Sequence, residues 1–152
     1  MPISKIESAG LGAGTVLQVV NAQTTTLASS TAATWTDTGL TATITPKSAT
    51  SKILVLVSQN GVSKLDAHTF AGINLLRNST SIQTVSGVGS TGTTAKNRGF
   101  GVPICYLDSP ATTSATTYKT QFQNEAAVGT VYVQDSGSMS SYSTITLVEI
   151  AQ

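Results

Sequence analysis

The chain has 152 residues, a net charge of +1 and only 10% charged residues, where globular proteins usually have about 25%. The length predicts one domain and leaves little room for a second, cofactor-binding domain. Its eight Lys and Arg residues are spread along the chain, so they cannot form the cationic cluster that nucleic-acid phosphates require. The 26 Thr, 19 Ser and 13 Gly residues predict a surface rich in hydroxyl groups and poor in long charged side chains.

The chain is also apolar enough to fold. Hydrophobic residues make up 39% of it, and its mean hydropathy is +0.13, whereas disordered chains combine low hydropathy with high charge. The longest apolar run, residues 53–57, is far shorter than the roughly 20 residues that cross a bilayer. Residues 1–10 lack the apolar centre of a signal peptide. These features predict a soluble protein without membrane insertion.

Two-residue alternation of apolar and polar side chains recurs along the chain, whereas helical spacing does not. No stretch is free enough of glycine and β-branched residues to hold a helix of three turns. The regular spacing of about nine or ten short strands predicts an antiparallel sandwich or barrel. In chain order, the predicted strands are residues 15–21, the region from Trp35 to 45, and residues 52–58, 68–77, 80–85, 100–106, 118–122, 129–134 and 143–150.

Two segments interrupt this regular pattern. Asn60-Gly61 is a strong turn signal, but apolar residues continue to Val62, so a bulge within a longer strand is also consistent with it. Residues 86–99 are rich in Gly and Thr and are predicted to form a long exposed loop. The predicted core consists of apolar residues from most of the strands: Leu17, Val55, Ile73, Leu75, Ile104, Phe122, Val131 and Leu147.

The first residues are predicted to form a separate element, with an arm at residues 1–13 and the sandwich domain at residues 14–152. Two interpretations of the arm stay open. It is a disordered tail, or it is an extended arm that orders against a neighbouring subunit. The second interpretation assigns partner binding to three apolar side chains, Ile3, Ile6 and Leu11.

Motifs that carry chemistry are weak in this sequence. Residues 87–92 match Gly-x-Gly-x-x-Gly, but no helix is predicted after them, so the sequence predicts no nucleotide cofactor. The only histidine, His68, has no Gly-x-Ser-x-Gly motif to accompany it, and it is predicted to lie at the surface or at a strand end. Three copies of His68 around a threefold axis would nevertheless bring three imidazoles to one ion. The acids lack the spacing of calcium loops.

Two further residues are predicted to be structural. Cys105, the only cysteine, alternates with apolar neighbours and is expected to be a small buried side chain rather than a nucleophile. Trp35, the only tryptophan, is expected in the core rather than on a carbohydrate platform. The sequence therefore predicts no catalytic residue, no metal ligand and no cofactor, and hence no enzyme. A small carbohydrate-active β-sandwich enzyme with two facing carboxylates stays as a remote alternative.

Four segments taken in order resemble a known module. They are GTVLQVV at residues 14–20, TITPKSATSKILV at 43–55, LDSPATTSATTYK at 107–119 and STITLVEI at 143–150. This order resembles a β-sandwich module that is common in tailed bacteriophages, especially those of aquatic bacteria, at the C-terminal ends of fibre-like and other virion proteins. The resemblance covers roughly residues 14 to 150.

The resemblance implies an antiparallel jelly-roll β-sandwich, similar to the heads of tumour necrosis factor and C1q, that assembles as a homotrimer and performs no chemistry. Fibre proteins of this kind carry an N-terminal attachment region and often a shaft, and the sequence shows neither. The expectation is therefore a small virion component assembled in the bacterial cytoplasm, such as a capsid decoration or cement protein. Its arm would bind the major capsid protein or another virion protein. The alternative is a receptor-binding tip of a tail fibre that contacts a glycan or protein of the host surface.

Overall fold

The computed structural model describes residues 12–137 and 141–152. These residues form strands joined by turns and loops, and no helix among them is present to span a membrane. The all-β prediction is confirmed. The strands are β1 (Val16–Thr24), β2 (Ala28–Ser30), β3 (Thr36–Ile44), β4 (Lys52–Lys64), β5 (Ala71–Arg77), β6 (Thr80–Val88), β7 (Asn97–Asp108), β8 (Thr116–Asn124), β9 (Val131–Val133) and β10 (Ser143–Ile150).

The strands form two antiparallel sheets that pack face to face. Sheet A contains β1, β10, β4, β9 and β2 in that order, and β7 pairs with the other edge of β4. Sheet B has the order β3-β8-β5-β6. Without the short β2 and β9, sheet A runs β1-β10-β4-β7, and the two sheets together have the eight-stranded double Greek key of a jelly roll. The predicted sandwich is therefore present, with jelly-roll connections.

The core lies between the sheets because alternate residues of each strand point inward. Val55 of β4, Ile73 of β5 and Phe122 of β8 are fully buried, as are most of the other predicted core residues. Leu17 is the exception, and the prediction that it belongs to the core was wrong. A bulge between Val16 and Gln18 shifts the register of β1, so the apolar residues of β1 that contact the core are Val20 and Ala22.

A chain of buried hydrogen bonds links the two sheets through the core. The hydroxyl of Thr38 lies 2.6 Å from that of Thr120, and Thr120 donates to the side-chain oxygen of Gln59 at 2.8 Å. Gln59 in turn donates to Ser143 at 3.0 Å. Because these buried polar groups satisfy one another, they fix how sheet B sits on sheet A at the cost of few unpaired groups.

The strand predictions agree with the structure in most places, and the clearest differences are at residues 86–99 and at β2. The Asn60-Gly61 signal lies at a register shift inside the long strand β4, so the bulge interpretation is confirmed. The segment at 86–99 is shorter as a loop than predicted, because β6 continues to Val88 and β7 begins at Asn97. The sequence pattern did not predict β2, since its three residues, Ala28 to Ser30, carry no strong apolar signal.

The two margins of sheet A differ from ordinary open strand edges. At the β1 margin, the Lys47 ammonium donates to the backbone oxygen of Leu17 at 2.9 Å. At the β7 margin, Pro103 pairs with Ser58 of β4, and proline removes one backbone donor from this outermost strand.

Candidate interface on the outer face of sheet A

The outer face of sheet A carries a continuous row of apolar side chains. The register places Val19 beside Val148, Val148 beside Leu54, and Leu54 beside Leu107. The two ends of this row are well exposed, Val19 at 58% and Leu107 at 51%. The row therefore crosses all four long strands of the sheet without a polar side chain.

Neighbouring outward positions extend this row into a patch, which we call the apolar face. Leu56 and Cys105 form a pair in the next row, and Val16 pairs with Ile150 towards the opposite end. Asn21 donates to the Thr146 hydroxyl at 2.8 Å at the β1 margin. The apolar face consists of Val16, Val19, Leu54, Leu56, Cys105, Leu107, Val148 and Ile150.

No carboxylate from the four long strands reaches the apolar face. Glu149 and Asp108 both point away from it and are buried. Lys52 lies at one margin, beside Ile150, and Arg98 is paired with Asp135 at 3.6 Å. A partner that covers this face would thus bury apolar and hydroxyl groups without desolvating an ion pair, which is the costly part of burying charge.

The size of the apolar face also matters. With strands about 4.8 Å apart and about 3.4 Å per residue, its three rows cover four strands and five residues, or roughly 330 Å². The largest apolar patch of a typical soluble monomer covers about 300–600 Å² and often marks an interaction site. The apolar face is therefore the candidate functional site of this chain.

The outer face of sheet B has the opposite character. Its neighbouring strands are joined by side-chain hydrogen bonds, such as the 2.8 Å contact between the Thr43 and Thr117 hydroxyls. Ser81 donates to the Asn74 side chain at 2.6 Å. The Lys119 ammonium donates to Asp37 at 2.8 Å. This face is suited to contact with water, since Asp37 and Thr43 are exposed and its polar groups are partly paired.

The inward orientation of Glu149 is stabilised by donors that surround its carboxylate. Gln18 donates to one oxygen at 2.5 Å, and the backbone amide of Lys47 donates to the other at 2.7 Å. Burial by itself would raise the pKa of Glu149, but the hydrogen bonds from Gln18 and from the Lys47 amide hold this pKa below its ordinary value. The carboxylate therefore stays ionised inside the fold.

Asp108 is the second inward carboxylate, and it joins sheet A to sheet B. Its oxygens accept from the Arg77 guanidinium at 2.9 and 3.0 Å and from the Tyr118 hydroxyl at 2.7 Å. Burial, with the negative charge and hydrogen bond of Asp108, raises the pKa of Tyr118 above its ordinary value. Tyr118 is thus a neutral donor throughout the ordinary pH range, and this cluster holds the two sheets together.

The structure places the remaining candidates outside any shared site. Ile3 and Ile6 lie outside the described residues, as does Leu11. His68 lies in an exposed loop before β5, where its backbone amide donates to Gly92 at 2.8 Å. Among the described residues, no three His, Cys, Asp or Glu side chains lie close enough together to hold a metal ion.

Two predictions of burial were wrong. Cys105 is exposed and belongs to the apolar face, because Ile104 and Tyr106 take the inward positions on either side of it. Trp35 is only half-buried, in the loop before β3, and does not join the core cluster. The sequence did not reveal the apolar face, since both faces of β7 carry apolar residues and alternation alone cannot tell which one points outward.

Comparison with known proteins adds no identification. No protein-family model matches the chain, and no curated protein matches it.

Proposed function

We propose that this chain is a non-enzymatic structural protein of a bacteriophage virion, specifically a trimeric capsid decoration or cement protein. Two things support the proposal. The sequence resembles the phage β-sandwich module over most of its length. The single observation that carries it is the uncharged apolar face of sheet A, which suits permanent contact with further copies of the same chain.

The apolar face favours a second copy as its occupant because both partners would then contribute the same chemistry. Around a threefold axis, each apolar face would contact the faces of the two other copies, so Leu and Val side chains would meet like side chains and no copy would be left with an unpaired buried charge. A contact of this kind also depends little on ionic strength, because it contains no screened ion pairs. That property suits a shell protein that meets variable salt and pH.

Attachment to the particle is assigned to the arm, residues 1–13, with Ile3, Ile6 and Leu11 as anchors on the major capsid protein or another virion protein. Burial of one isoleucine contributes roughly 1.5–3 kcal/mol, part of which is offset by ordering the arm. Three arms on one trimer bind together, so a modest contact becomes strong attachment.

A receptor-binding tip of a tail fibre is the second candidate. The observation that favours it is the polar outer face of sheet B, which lies on the opposite side of the sandwich from the apolar face. This surface stays accessible when copies associate through sheet A, and a host-surface glycan or protein would be its partner.

Light scattering on the purified chain tests the self-association. We expect the mass of a trimer for the wild type and the mass of a monomer for Leu107→Asp, because an exposed aspartate at the end of the apolar row would be buried without a partner. The matched control is Thr43→Asp on the outer face of sheet B, which should keep the trimer. A wild-type monomer at micromolar concentration in both low and high salt would overturn the proposal, as would a trimer that Leu107→Asp leaves intact.

Deletion of residues 2–12 tests the arm separately. The truncated chain should keep its fold and its oligomeric state, as seen by circular dichroism and light scattering, and should no longer bind to particles that lack the protein. If the truncated chain decorates capsids as well as the full chain does, the arm does not attach it and the fibre-tip candidate becomes the better one.

A further inference from the structure

The polar outer face of sheet B contains a small cavity, on the opposite side of the sandwich from the apolar face. Between the pairs Asp37–Gln121 and Thr41–Lys119 the register of β3 shifts, so that three residues of β3 lie opposite a single residue of β8. Gly39 permits this bulge, since its φ of +84° is strained for other residues. The bulge opens a cavity of about 120 Å³, lined by Asp37, Gly39, Leu40, Thr41, Lys119 and Thr120.

The floor of this cavity is rigid and largely apolar. Leu40 is 1% exposed and belongs to the core. Thr120 is fully buried, and its hydroxyl is occupied inside the sandwich, where it donates to Gln59 at 2.8 Å and contacts Thr38 at 2.6 Å. These two residues support the floor from inside the core, and the residues that a ligand would contact are the exposed Asp37, Gly39 and Thr41.

The rim of the cavity carries polar groups with hydrogen-bonding capacity to spare. One oxygen of Asp37 accepts from Lys119 at 2.8 Å and from Gln121 at 2.7 Å, while the other accepts only from Lys119, at 2.9 Å. A carboxylate has about four acceptor sites and an ammonium three donors, so an acceptor site on Asp37 and a donor on Lys119 are left for a ligand. The Thr41 side chain is exposed at the rim, and its hydroxyl can both donate and accept a hydrogen bond.

The charges at the rim cancel. The hydrogen bond from Lys119 is the largest influence on Asp37 and keeps the pKa of its carboxyl below the ordinary value, against a smaller opposing effect of burial. The pair is therefore one negative and one positive charge in direct contact. A free anion would meet the carboxylate and a free cation would meet the ammonium, so a neutral ligand whose groups both donate and accept fits best.

We propose that this cavity binds one ring of a neutral carbohydrate. The volume is well below the roughly 300–1,000 Å³ of sites for larger ligands, so it holds one ring rather than an extended chain. The C–H face of the ring would pack on Gly39, and two adjacent hydroxyls would pair with Asp37, Lys119 and Thr41. The inference rests on the proposed function in one respect, because association through sheet A would turn three such cavities outward, where they act together on a host-surface glycan.

Nuclear magnetic resonance on the full ¹⁵N-labelled chain tests the proposal. The probes are methyl glycosides of glucose, galactose and N-acetylglucosamine, with sodium acetate and methylammonium chloride as charged comparators. We expect at least one glycoside to shift the amide signals of Gly39, Leu40 and Thr41 in a saturable way at millimolar concentration, as befits a small site. Thr41→Val should weaken this binding about three- to tenfold, while Thr43→Val, two residues along the same face, should leave it unchanged.

Three outcomes would overturn the proposal. They are the absence of saturable shifts around Gly39 with every glycoside, equal shifts with acetate or methylammonium, and equal weakening by Thr43→Val. The light-scattering mass of the same samples reports self-association independently. A trimer without sugar binding therefore rejects only the carbohydrate site, and sugar binding by a monomer rejects only the assembly.

Discussion

The two outer faces of the sandwich are built on the same kind of backbone and carry opposite chemistry. On sheet B, side chains of neighbouring strands form hydrogen bonds with each other. The Thr43 and Thr117 hydroxyls are one such pair, and Lys119 donates to Asp37 in another. On sheet A, the corresponding positions hold Val148, Leu54 and their apolar neighbours, with little hydrogen bonding between them. Water suits the first face and another protein surface suits the second.

This difference shows that the placement of the few polar groups matters more than their number. Only 10% of the residues are charged, and the two carboxylates of the long sheet A strands, Glu149 and Asp108, both face inward. A side chain in a strand points to one face or the other according to its position. A shift of one residue in β10 would place the Glu149 carboxylate on the apolar face, which would then be charged.

The largest effect is expected when the outer face of sheet B is made apolar like that of sheet A. The triple variant Thr43→Leu, Thr117→Leu and Gln121→Leu should associate without limit, because each sandwich would then have apolar surfaces on both sides and could link neighbours in series. Sedimentation velocity should show a continuous range of large species. The matched control replaces Thr43 and Thr117 by serine and should sediment as the wild type does. If the triple variant keeps the wild-type mass, burial of an apolar face does not drive association.

A second test concerns the carboxylate that faces inward. Glu149→Gln should lower the free energy of unfolding at neutral pH by about 1–3 kcal/mol, because an amide cannot accept from both Gln18 and the Lys47 amide and leaves one donor unpaired. Urea denaturation measures the loss. Glu125→Gln, in the turn after β8, is the control and should cost less, because Ser86 and Gly87 both donate to one Glu125 oxygen and an amide keeps one such acceptor.

The same variant gives a pH dependence with a defined sign. The pKa of Glu149 is lowered in the folded state. The ionised carboxylate therefore makes its full contribution to the free energy of unfolding above the ordinary glutamate pKa of about 4.3. This contribution is lost as the pH falls through the lower pKa of the folded state. The stability difference between the wild type and Glu149→Gln should therefore narrow in acid. A constant difference down to the acid limit would contradict this assignment.

Cys105 offers a direct probe of the apolar face. It is exposed in the single chain, so self-association should slow its reaction with a bulky maleimide by about tenfold relative to the Leu107→Asp monomer. A tenfold ratio corresponds to about 1.4 kcal/mol of protection. Both proteins should react equally fast in denaturant. Equal rates in the native state would place Cys105 outside the interface.

The smallest effect is expected at the ion pair on sheet B. Asp37→Asn should lower the free energy of unfolding by less than about 1 kcal/mol, since the Asp37 side chain is 55% exposed and surface pairs contribute little. The hydrogen bond from Lys119 lowers the pKa of Asp37, so its contribution is present above the ordinary aspartate pKa and disappears as the pH falls. Thermal unfolding at low and high salt should show that the stability difference between the wild type and Asp37→Asn becomes smaller as the salt concentration rises. A loss well above 1 kcal/mol would mean that the pair has a larger structural role.

The sequence was most informative where one face of a strand is apolar and the other polar. Ile73 and Phe122 alternate with polar residues, and their burial was predicted correctly. The exposure of Cys105 was not predicted, because β7 is apolar on both faces and periodicity does not show which face points outward. Leu17 failed for a different reason, since the bulge in β1 changes which residues point inward and no glycine or proline at that point announces it.

The candidate site was harder to predict than the fold. The row from Val19 to Leu107 joins four strands that are distant in sequence, and only the register of three strand pairs brings the row together. The cavity at Gly39 likewise needs a bulge in β3 and the facing residues of β8. Local patterns determine strands, whereas such surfaces depend on long-range pairing that a single sequence does not display.

The margins of sheet A have a consequence for contacts between molecules. A bare strand edge can recruit a strand from another molecule and begin a growing fibril. Here the Lys47 ammonium occupies the carbonyl of Leu17 on one margin, and Pro103 withholds a donor on the other. Pairing with a strand of another molecule is therefore discouraged at the β1 and β7 margins of sheet A.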